Sequence, residues 1–179
     1  MKTDSTIFSV SSPHKELCHN MVEYTINNIN QSSSHALGLK LSELLFNGGF
    51  IAMFGDLGAG KTTLTKAVAS GFGIDEIASP TFTVVREHTT TNGKCFFHFD
   101  AYRLCDEDEL SAIGFDDYIS RAHDGIIIME WSENVLGLLP ANRLDIAIFG
   151  NGDMPRRMII KAYGEYYENI VKELEKCSF

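Results

Sequence analysis

The residues with the clearest chemical use form a short glycine-rich run that ends in a lysine and two threonines. Residues 55–62 read GDLGAGKT and fit G-x-x-x-x-G-K-[ST], the pattern of a phosphate-binding loop or P-loop. Glycine lets the backbone curl with its N–H groups facing phosphate oxygens. The lysine adds a point charge between the outer phosphates, and a threonine hydroxyl suits Mg²⁺. The nucleotide contacts predicted from this run are Asp56, Leu57, Gly58, Ala59, Gly60, Lys61, Thr62 and Thr63.

The sequence on either side of the loop supports this interpretation. Residues 50–54, FIAMF, form an apolar run typical of a strand buried on both faces. Residues 61–72 follow as a predicted helix, in which Leu64, Val68 and Phe72 recur at spacings of four. A strand, the loop and a helix in this order distinguish a P-loop from a chance match. The helix also directs its positive N-terminal end toward the phosphates.

Two carboxylates at the ends of apolar strands are candidates for coordinating a metal or orienting an attacking water. Asp100 ends the run FFHFD, and Glu130 ends GIIIME. Hydrolysis at a P-loop needs an acid of this kind beside the loop, so Lys61, Asp100 and Glu130 are predicted to be catalytic. The sequence leaves open which acid is the principal one. His98 shares a strand face with Asp100, and a structural and a catalytic role suit it equally well.

The segment Ser79-Pro80-Thr81 is the third candidate part of the site. Proline stiffens the chain and biases Ser79 toward an extended conformation. We predict that Thr81 then presents its hydroxyl to the γ-phosphate or the attacking water, as the switch segments of nucleotide hydrolases do.

The first half of the chain predicts the elements that position these groups. Residues 21–29 are typical of a strand, and Ser34 is the predicted N-cap of a helix through residues 35–46. Asn92 followed by Gly93 predicts a tight hairpin, so the strands on either side of it are expected to be antiparallel.

The second half adds further helices and strands. Residues 106–122 predict one helix capped by Asp106. Residues 143–150 and 156–164 predict two strands, followed by an amphipathic helix. The expected fold is a three-layer α/β domain of the P-loop type, with a mixed parallel and antiparallel sheet between helices.

Length, charge and composition limit the class of protein. Residues 1–20 are polar and are predicted to form a leader. A chain of 179 residues predicts one domain, at 21–179. A net charge of −9 argues against a protein that binds nucleic acid on its own. The chain shows no apolar run long enough for a membrane span or a signal peptide, and its four cysteines form no C-x-x-C pair. These features predict a cytoplasmic protein with reduced thiols.

The ordered motifs GDLGAGKTT, SPTFTVV, HFDAYRL, DELSAIGFDDYI and IIIMEW together resemble the TsaE family of small P-loop ATPases. That resemblance implies a seven-stranded mixed sheet and a slow ATPase that acts with the TsaB–TsaD heterodimer in making threonylcarbamoyladenosine in tRNA. It implies ATP and Mg²⁺ as cofactors, TsaD and TsaB as partners, and tRNA contacts made only through that complex, with no role for DNA or a membrane.

The resemblance also implies roles for particular residues. Thr62 and Glu130 would coordinate Mg²⁺, and Asp100 would be the second acid, either linked to the metal or orienting water. Lys61 and the loop amides would hold phosphates, and residues 31–34 would lie near the nucleotide base. Trp131 follows Glu130 as in the family, and packing in the core is favoured for it over stacking on adenine.

Three other functions are weighed against this one. A small-molecule kinase would carry an arginine-rich lid, whereas the arginines here are dispersed. A signalling GTPase would carry an N-K-x-D motif, which the sequence lacks. A nucleotide-dependent adaptor that does not hydrolyse ATP stays open. Turnover is expected to be weak alone, with Arg103 or a partner protein completing the site.

Overall fold

The computed structural model describes residues 22–80, 83–122, 124–152 and 154–179. Predictions for the leader at 1–20 and for Thr81 therefore lie outside the described residues. The strands are β1 (Val22–Ile29), β2 (Gly49–Phe54), β3 (Val85–Thr89), β4 (Cys95–Asp100), β5 (Ile126–Glu130), β6 (Arg143–Phe149) and β7 (Arg156–Tyr163). The helices are α1 (Gln31–Leu44), α2 (Lys61–Gly71), α3 (Glu107–Ala112), α4 (Phe115–Arg121) and α5 (Glu165–Leu174), with a 3₁₀ segment at Ser132–Leu138.

The strands form one sheet in the order β1-β7-β6-β2-β5-β4-β3. The central strands β6, β2, β5 and β4 are parallel, whereas β1, β7 and β3 run antiparallel to their neighbours. The predicted mixed sheet is therefore confirmed. The carboxyl ends of β2, β5 and β4 meet at one edge, where Glu130 is the register partner of both Met53 and Asp100.

Helices cover both faces of the sheet, which gives three layers. On β2, Ile51 and Met53 belong to the hydrophobic cluster beneath α1, α2 and α5. Phe50 and Ala52 belong to the cluster beneath α3 and α4 on the opposite face. Both faces of the strand are thus apolar, because each is covered by helices, as expected for a central parallel strand.

The predicted N-cap at Ser34 is wrong. Helix α1 begins at Gln31, and the side chain of Asn30 caps it by accepting a 2.9 Å hydrogen bond from the backbone N–H of Ser33. Ser34 lies within the first turn and is buried. Strand β1 continues to Ile29, so the next side chain able to cap is Asn30, four residues before the predicted one.

The single helix predicted for residues 106–122 is also wrong. The chain forms α3 and α4, separated by Gly114 at φ +79°. This left-handed conformation ends a helix and redirects the chain. The break allows Leu110 and Phe115 to pack in the same hydrophobic cluster. The predicted cap is confirmed, since the Asp106 carboxylate accepts a hydrogen bond from the Glu109 N–H.

The predicted hairpin is confirmed as an antiparallel pair. Strands β3 and β4 are joined through residues 90–94, with Gly93 at φ +83°.

In the part of the chain that the structure describes, no helix combines the length and apolar character needed to cross a bilayer.

Candidate nucleotide site

The P-loop joins the carboxyl end of β2 to the first turn of α2. Gly55, Gly58 and Gly60 have φ values of +132°, +80° and +112°, a region that side chains rarely adopt. A Cβ at Gly55 would lie 2.3 Å from the carbonyl oxygen of Ile148, so this glycine allows the loop to pack against β6. At Gly58 and Gly60 a Cβ would meet nothing within 4 Å. The loop therefore presents bare backbone to open space, as a phosphate cradle requires.

Lys61 lies at the start of α2, with its ammonium group inside the curl of the loop. It donates to the carbonyl oxygen of Gly55 and, at 3.0 Å, to that of Asp56. The same ammonium is 3.6 Å from the centre of the Trp131 ring. Burial lowers the pKa of Lys61, and the nearby carboxylates of Glu133, Glu130, Asp100 and Asp56 act in the opposite direction. The contacts hold a positive charge beside the cleft that the loop lines.

Thr62 and Glu130 form the direct link between the loop and the next strand. The Thr62 hydroxyl donates a 2.7 Å hydrogen bond to Oε2 of Glu130. Glu130 is the last residue of β5 and is almost fully buried. One hydroxyl and one carboxylate oxygen lie side by side at the head of this helix, and both are oxygen ligands of the kind that Mg²⁺ prefers.

The other carboxylate oxygen of Glu130 is held by two buried side chains. Its Oε1 lies 3.1 Å from the hydroxyl of Thr65 and 2.8 Å from Nε2 of His98. Both partners are fully buried, and His98 Nδ1 is buried without a hydrogen-bond partner in the described residues. An imidazole N–H at Nε2 can donate to the carboxylate, so this contact fixes the position of Glu130 Oε1. His98 therefore orients Glu130 and has no contact with the open cleft.

Asp100 lies beside Glu130 but contacts a different segment. Its Oδ2 accepts a 2.7 Å hydrogen bond from the Ser79 hydroxyl, and its Oδ1 accepts one of 3.1 Å from the Tyr102 N–H. Ser79 precedes Pro80 and Thr81, and the Thr81 hydroxyl was predicted to reach the γ-phosphate or the attacking water. The structure thus connects Asp100 to that segment, while Thr81 itself lies outside the described residues.

Two non-glycine residues with a left-handed backbone conformation lie next to the carboxylates. Trp131, which follows Glu130, has φ +62°, and Val84 has φ +64°. The Val84 carbonyl accepts from the Asp100 N–H at 2.8 Å. Such strain is uncommon, above all for a β-branched residue, and it is concentrated at functional sites. Trp131 also packs on Tyr102, with ring centres 4.7 Å apart. The expected packing role of Trp131 therefore includes a contact with Lys61.

The loop borders two open spaces. The first is a cleft of about 200 Å³. It is lined by the whole predicted set, Asp56, Leu57, Gly58, Ala59, Gly60, Lys61, Thr62 and Thr63, together with Glu130 and Trp131. The second, about 400 Å³, shares Ala59, Gly60 and Thr63 with the cleft and extends to Gln31 and Ser34. The two spaces together run from the P-loop to the residues that the family resemblance implied for the base.

Arg156 contacts the P-loop and was not predicted. It lines the larger space, and its guanidinium donates to the carbonyl oxygens of Ala59 at 2.9 Å and Gly58 at 3.4 Å. Arg103, the arginine that the sequence suggested for the site, lines neither space. No local signal could have found Arg156, because it lies 97 residues beyond Ala59 on a distant strand.

The residues present fit a magnesium nucleotide. Within the described residues, no group of three or more His, Cys, Asp or Glu side chains could hold a metal alone. Mg²⁺ on P-loops typically takes few protein ligands and completes its shell with phosphate oxygens and water. Thr62 and Glu130 match that demand, and the open backbone at Gly58 and Gly60 matches the phosphates.

Comparisons with known proteins show the family to which the chain belongs. The family model described as "Threonylcarbamoyl adenosine biosynthesis protein TsaE" matches residues 29–159. The TsaE protein of Bacillus subtilis is 36% identical over 150 residues, covering 83% of this chain and 91% of that protein. The TsaE protein of Streptomyces coelicolor is 36% identical over 136 residues, covering 72% of this chain and 90% of that protein. The crystal structure of Bacillus subtilis YdiB superimposes with a TM-score of 0.68 and 32% identity, over 88% of this chain and 97% of that one. The chain belongs to the TsaE family.

Proposed function

We propose that this protein binds and slowly hydrolyses ATP with Mg²⁺, as the nucleotide-dependent subunit of the machinery that makes threonylcarbamoyladenosine in tRNA. The related proteins are named for tRNA threonylcarbamoyladenosine biosynthesis. The observation that carries the chemical part is the 2.7 Å contact between Thr62 and Glu130 at the head of an open P-loop. A purely structural hydroxyl–carboxylate pair would not need the adjacent bare backbone of Gly58 and Gly60.

The proposed binding mode follows from the two spaces beside the loop. The phosphates would lie in the smaller cleft, against the loop amides and Lys61. The nucleoside would extend into the larger space, past Thr63 toward Gln31 and Ser34. Lys61 reaches this cleft from inside the loop, so its charge faces the outer phosphates rather than solvent.

The carboxylates divide the proposed chemistry between them. Bound Mg²⁺ would neutralise charge on the outer phosphates. Glu130 and Thr62 would hold that ion, with Glu130 kept in place by Thr65 and His98. Asp100 would orient water or the segment that begins at Ser79, including Thr81.

Weak turnover by the isolated chain is part of the proposal. The arginine nearest the loop, Arg156, donates to backbone carbonyls rather than pointing into the phosphate cleft. A partner would then supply the remaining stabilisation of the transition state, as activating proteins do for other P-loop enzymes. We propose the TsaB–TsaD pair as that partner, with tRNA reached only through it. The net charge of −9 favours a protein partner over direct contact with tRNA.

The test compares nucleotide binding and turnover in matched lysine variants. We expect the chain to bind ADP and hydrolyse ATP slowly, and faster with the TsaB–TsaD pair. Lys61→Ala should lose both properties, whereas Lys66→Ala, an exposed lysine on the same helix, should keep them. Equal ADP binding by Lys61→Ala and the parent chain would contradict the proposed site.

The same assay separates the alternative functions. Sustained tRNA modification over many cycles with a non-hydrolysable ATP analogue would identify a nucleotide-dependent adaptor. Phosphate transfer from ATP to a small metabolite would identify a kinase.

A further inference from the structure

We propose that Arg156 is a positioning residue that holds the P-loop in the shape that binds phosphate, and so sets nucleotide affinity. The inference rests on the proposed nucleotide-binding function. Arg156 is the first residue of β7, on the far side of β6 from the strand that carries the loop.

The loop side of the contact involves two consecutive carbonyl groups. Nε of Arg156 donates to the Ala59 oxygen at 2.9 Å, and Nη2 reaches the Gly58 oxygen at 3.4 Å. These peptides belong to the segment in which the loop turns toward α2. A guanidinium is a rigid, planar fork of donors, so it fixes the direction of both carbonyls together.

Peptide geometry carries the effect to the phosphate side of the loop. The peptide that joins Ala59 to Gly60 is trans, like all the described peptides, so its C=O and N–H point in opposite directions. With the Ala59 carbonyl held on Arg156, the Gly60 N–H must point away from the arginine. Gly60 has no side chain and a φ of +112°, so no Cβ restrains this peptide. Arg156 therefore aims an amide donor that the phosphates would use.

The other end of the guanidinium is anchored to the turn between β6 and β7. Nη2 donates to the Gly152 oxygen at 2.7 Å, and Nη1 donates to the oxygens of Asn151, at 3.3 Å, and Met154. All five donors of the fork are thus directed at main-chain oxygens. The loop is tied to the sheet through a neighbouring turn and not only through its own strand.

The positive charge of Arg156 also supports its role in setting nucleotide affinity. Among the described residues, no carboxylate forms an ion pair with Arg156. Its positive charge is shared with carbonyl dipoles, so it is not cancelled by an acid and adds to the attraction for phosphate beside the loop.

The adjacent residue provides a matched control. Arg157 points to the other side of β7, is exposed, and lies over the Phe149 ring at 4.7 Å. Replacing it removes the same charge from the same strand but leaves the loop contacts in place.

The experiment measures the dissociation constant for ADP, steady-state ATP turnover and thermal unfolding for Arg156→Ala, Arg156→Lys and Arg157→Ala. We expect Arg156→Ala to weaken ADP binding by about 10- to 100-fold and to raise KM for ATP, with kcat at saturation changed by less than about threefold. Arg157→Ala should bind as the parent chain does. Arg156→Lys keeps the charge but not the fork, so its ADP affinity should lie between those of Arg156→Ala and the parent.

The outcomes distinguish this inference from the function on which it rests. If the parent and Arg157→Ala bind no ADP, the proposed function fails. If they bind ADP and both Arg156 variants bind equally well, the positioning role is overturned. If Arg156→Ala does not fold, Arg156→Lys decides, since parent-like affinity there would show that the fork is dispensable. A fall in kcat with KM unchanged would also overturn the inference, because it would place Arg156 in the chemical step.

Discussion

Oε2 of Glu130 lies 2.7 Å from the hydroxyl of Thr62, although the two residues are 68 positions apart in the chain. The contact forms because β2 and β5 are parallel neighbours, so their carboxyl ends meet at the same edge of the sheet. It brings together the hydroxyl and the carboxylate that the proposed magnesium site requires. Five measurements test the site and the fold around it.

Glu130→Gln should abolish most ATP turnover while leaving ADP binding nearly unchanged. The amide keeps the size of the side chain but removes the charge beside Thr62. We expect turnover to fall by at least about 100-fold. Glu175→Gln, an exposed acid at the carboxyl end of α5, serves as the control and should retain activity. Parent-like turnover by Glu130→Gln would remove Glu130 from the site.

Asp100→Asn should lower turnover without raising the Mg²⁺ concentration needed for half-maximal activity. Asp100 contacts Ser79 and the Tyr102 backbone, whereas Glu130 contacts Thr62. A magnesium titration of both variants therefore assigns the roles that the sequence left open. A larger rise in Mg²⁺ requirement for Asp100→Asn than for Glu130→Gln would reverse the assignment.

His98→Phe should reduce turnover by about tenfold and raise the Mg²⁺ requirement, because it removes the donor that orients Glu130 Oε1. His98→Gln retains an N–H donor and should recover part of the loss. Unfolding in urea, measured in parallel, separates this effect from the loss of a buried side chain. Full activity in His98→Phe would show that the imidazole only fills space.

His88 should make the fold less stable in mild acid. Burial lowers the pKa of His88, and the neighbouring His98 and Arg86 act in the same direction. The unfolded chain then binds the proton more readily, so this contribution to stability is complete above the ordinary pKa of about 6.5 and is lost as pH falls through it. The His88 ring packs against the Phe96 ring. The variant His88→Phe places a phenyl ring there, which cannot bind a proton. Its free energy of unfolding relative to the parent should therefore rise as pH falls from about 7.5 to about 5.5. A constant difference across that range would contradict the prediction.

Gly55→Ala should destabilise the fold far more than Gly93→Ala. Both glycines have positive φ, so each substitution strains the backbone by about 1–2 kcal/mol. At Gly55 the new Cβ would also lie 2.3 Å from the Ile148 oxygen, whereas at Gly93 it meets nothing within 4 Å. We expect a total loss of about 3 kcal/mol or more at Gly55, measured by urea unfolding. Equal losses at the two positions would mean that the loop can move away from β6.

The glycine-rich loop between β2 and α2 was predictable because its sequence pattern is local. The glycines, Lys61 and Thr62 occupy eight consecutive positions, and the strand and helix beside them have clear patterns. The mixed sheet was predictable for a related reason, since apolar runs identify buried strands and Asn92-Gly93 identifies one antiparallel turn. Local patterns did not resolve the start of α1 or the break at Gly114. Several side chains near Asn30 can cap a helix, and a single glycine is tolerated in many helices.

The amino-acid sequence by itself therefore determined the position of the glycine-rich loop, the class of fold and the two candidate acids. Only the tertiary structure decided that Glu130 is the acid that contacts Thr62. It also decided that His98 contacts Glu130 and that Arg156 donates hydrogen bonds to the loop from 97 residues away. The physical reason is strand order. Which carboxyl ends become neighbours depends on how the whole set of apolar faces is buried together, and no short segment carries that information.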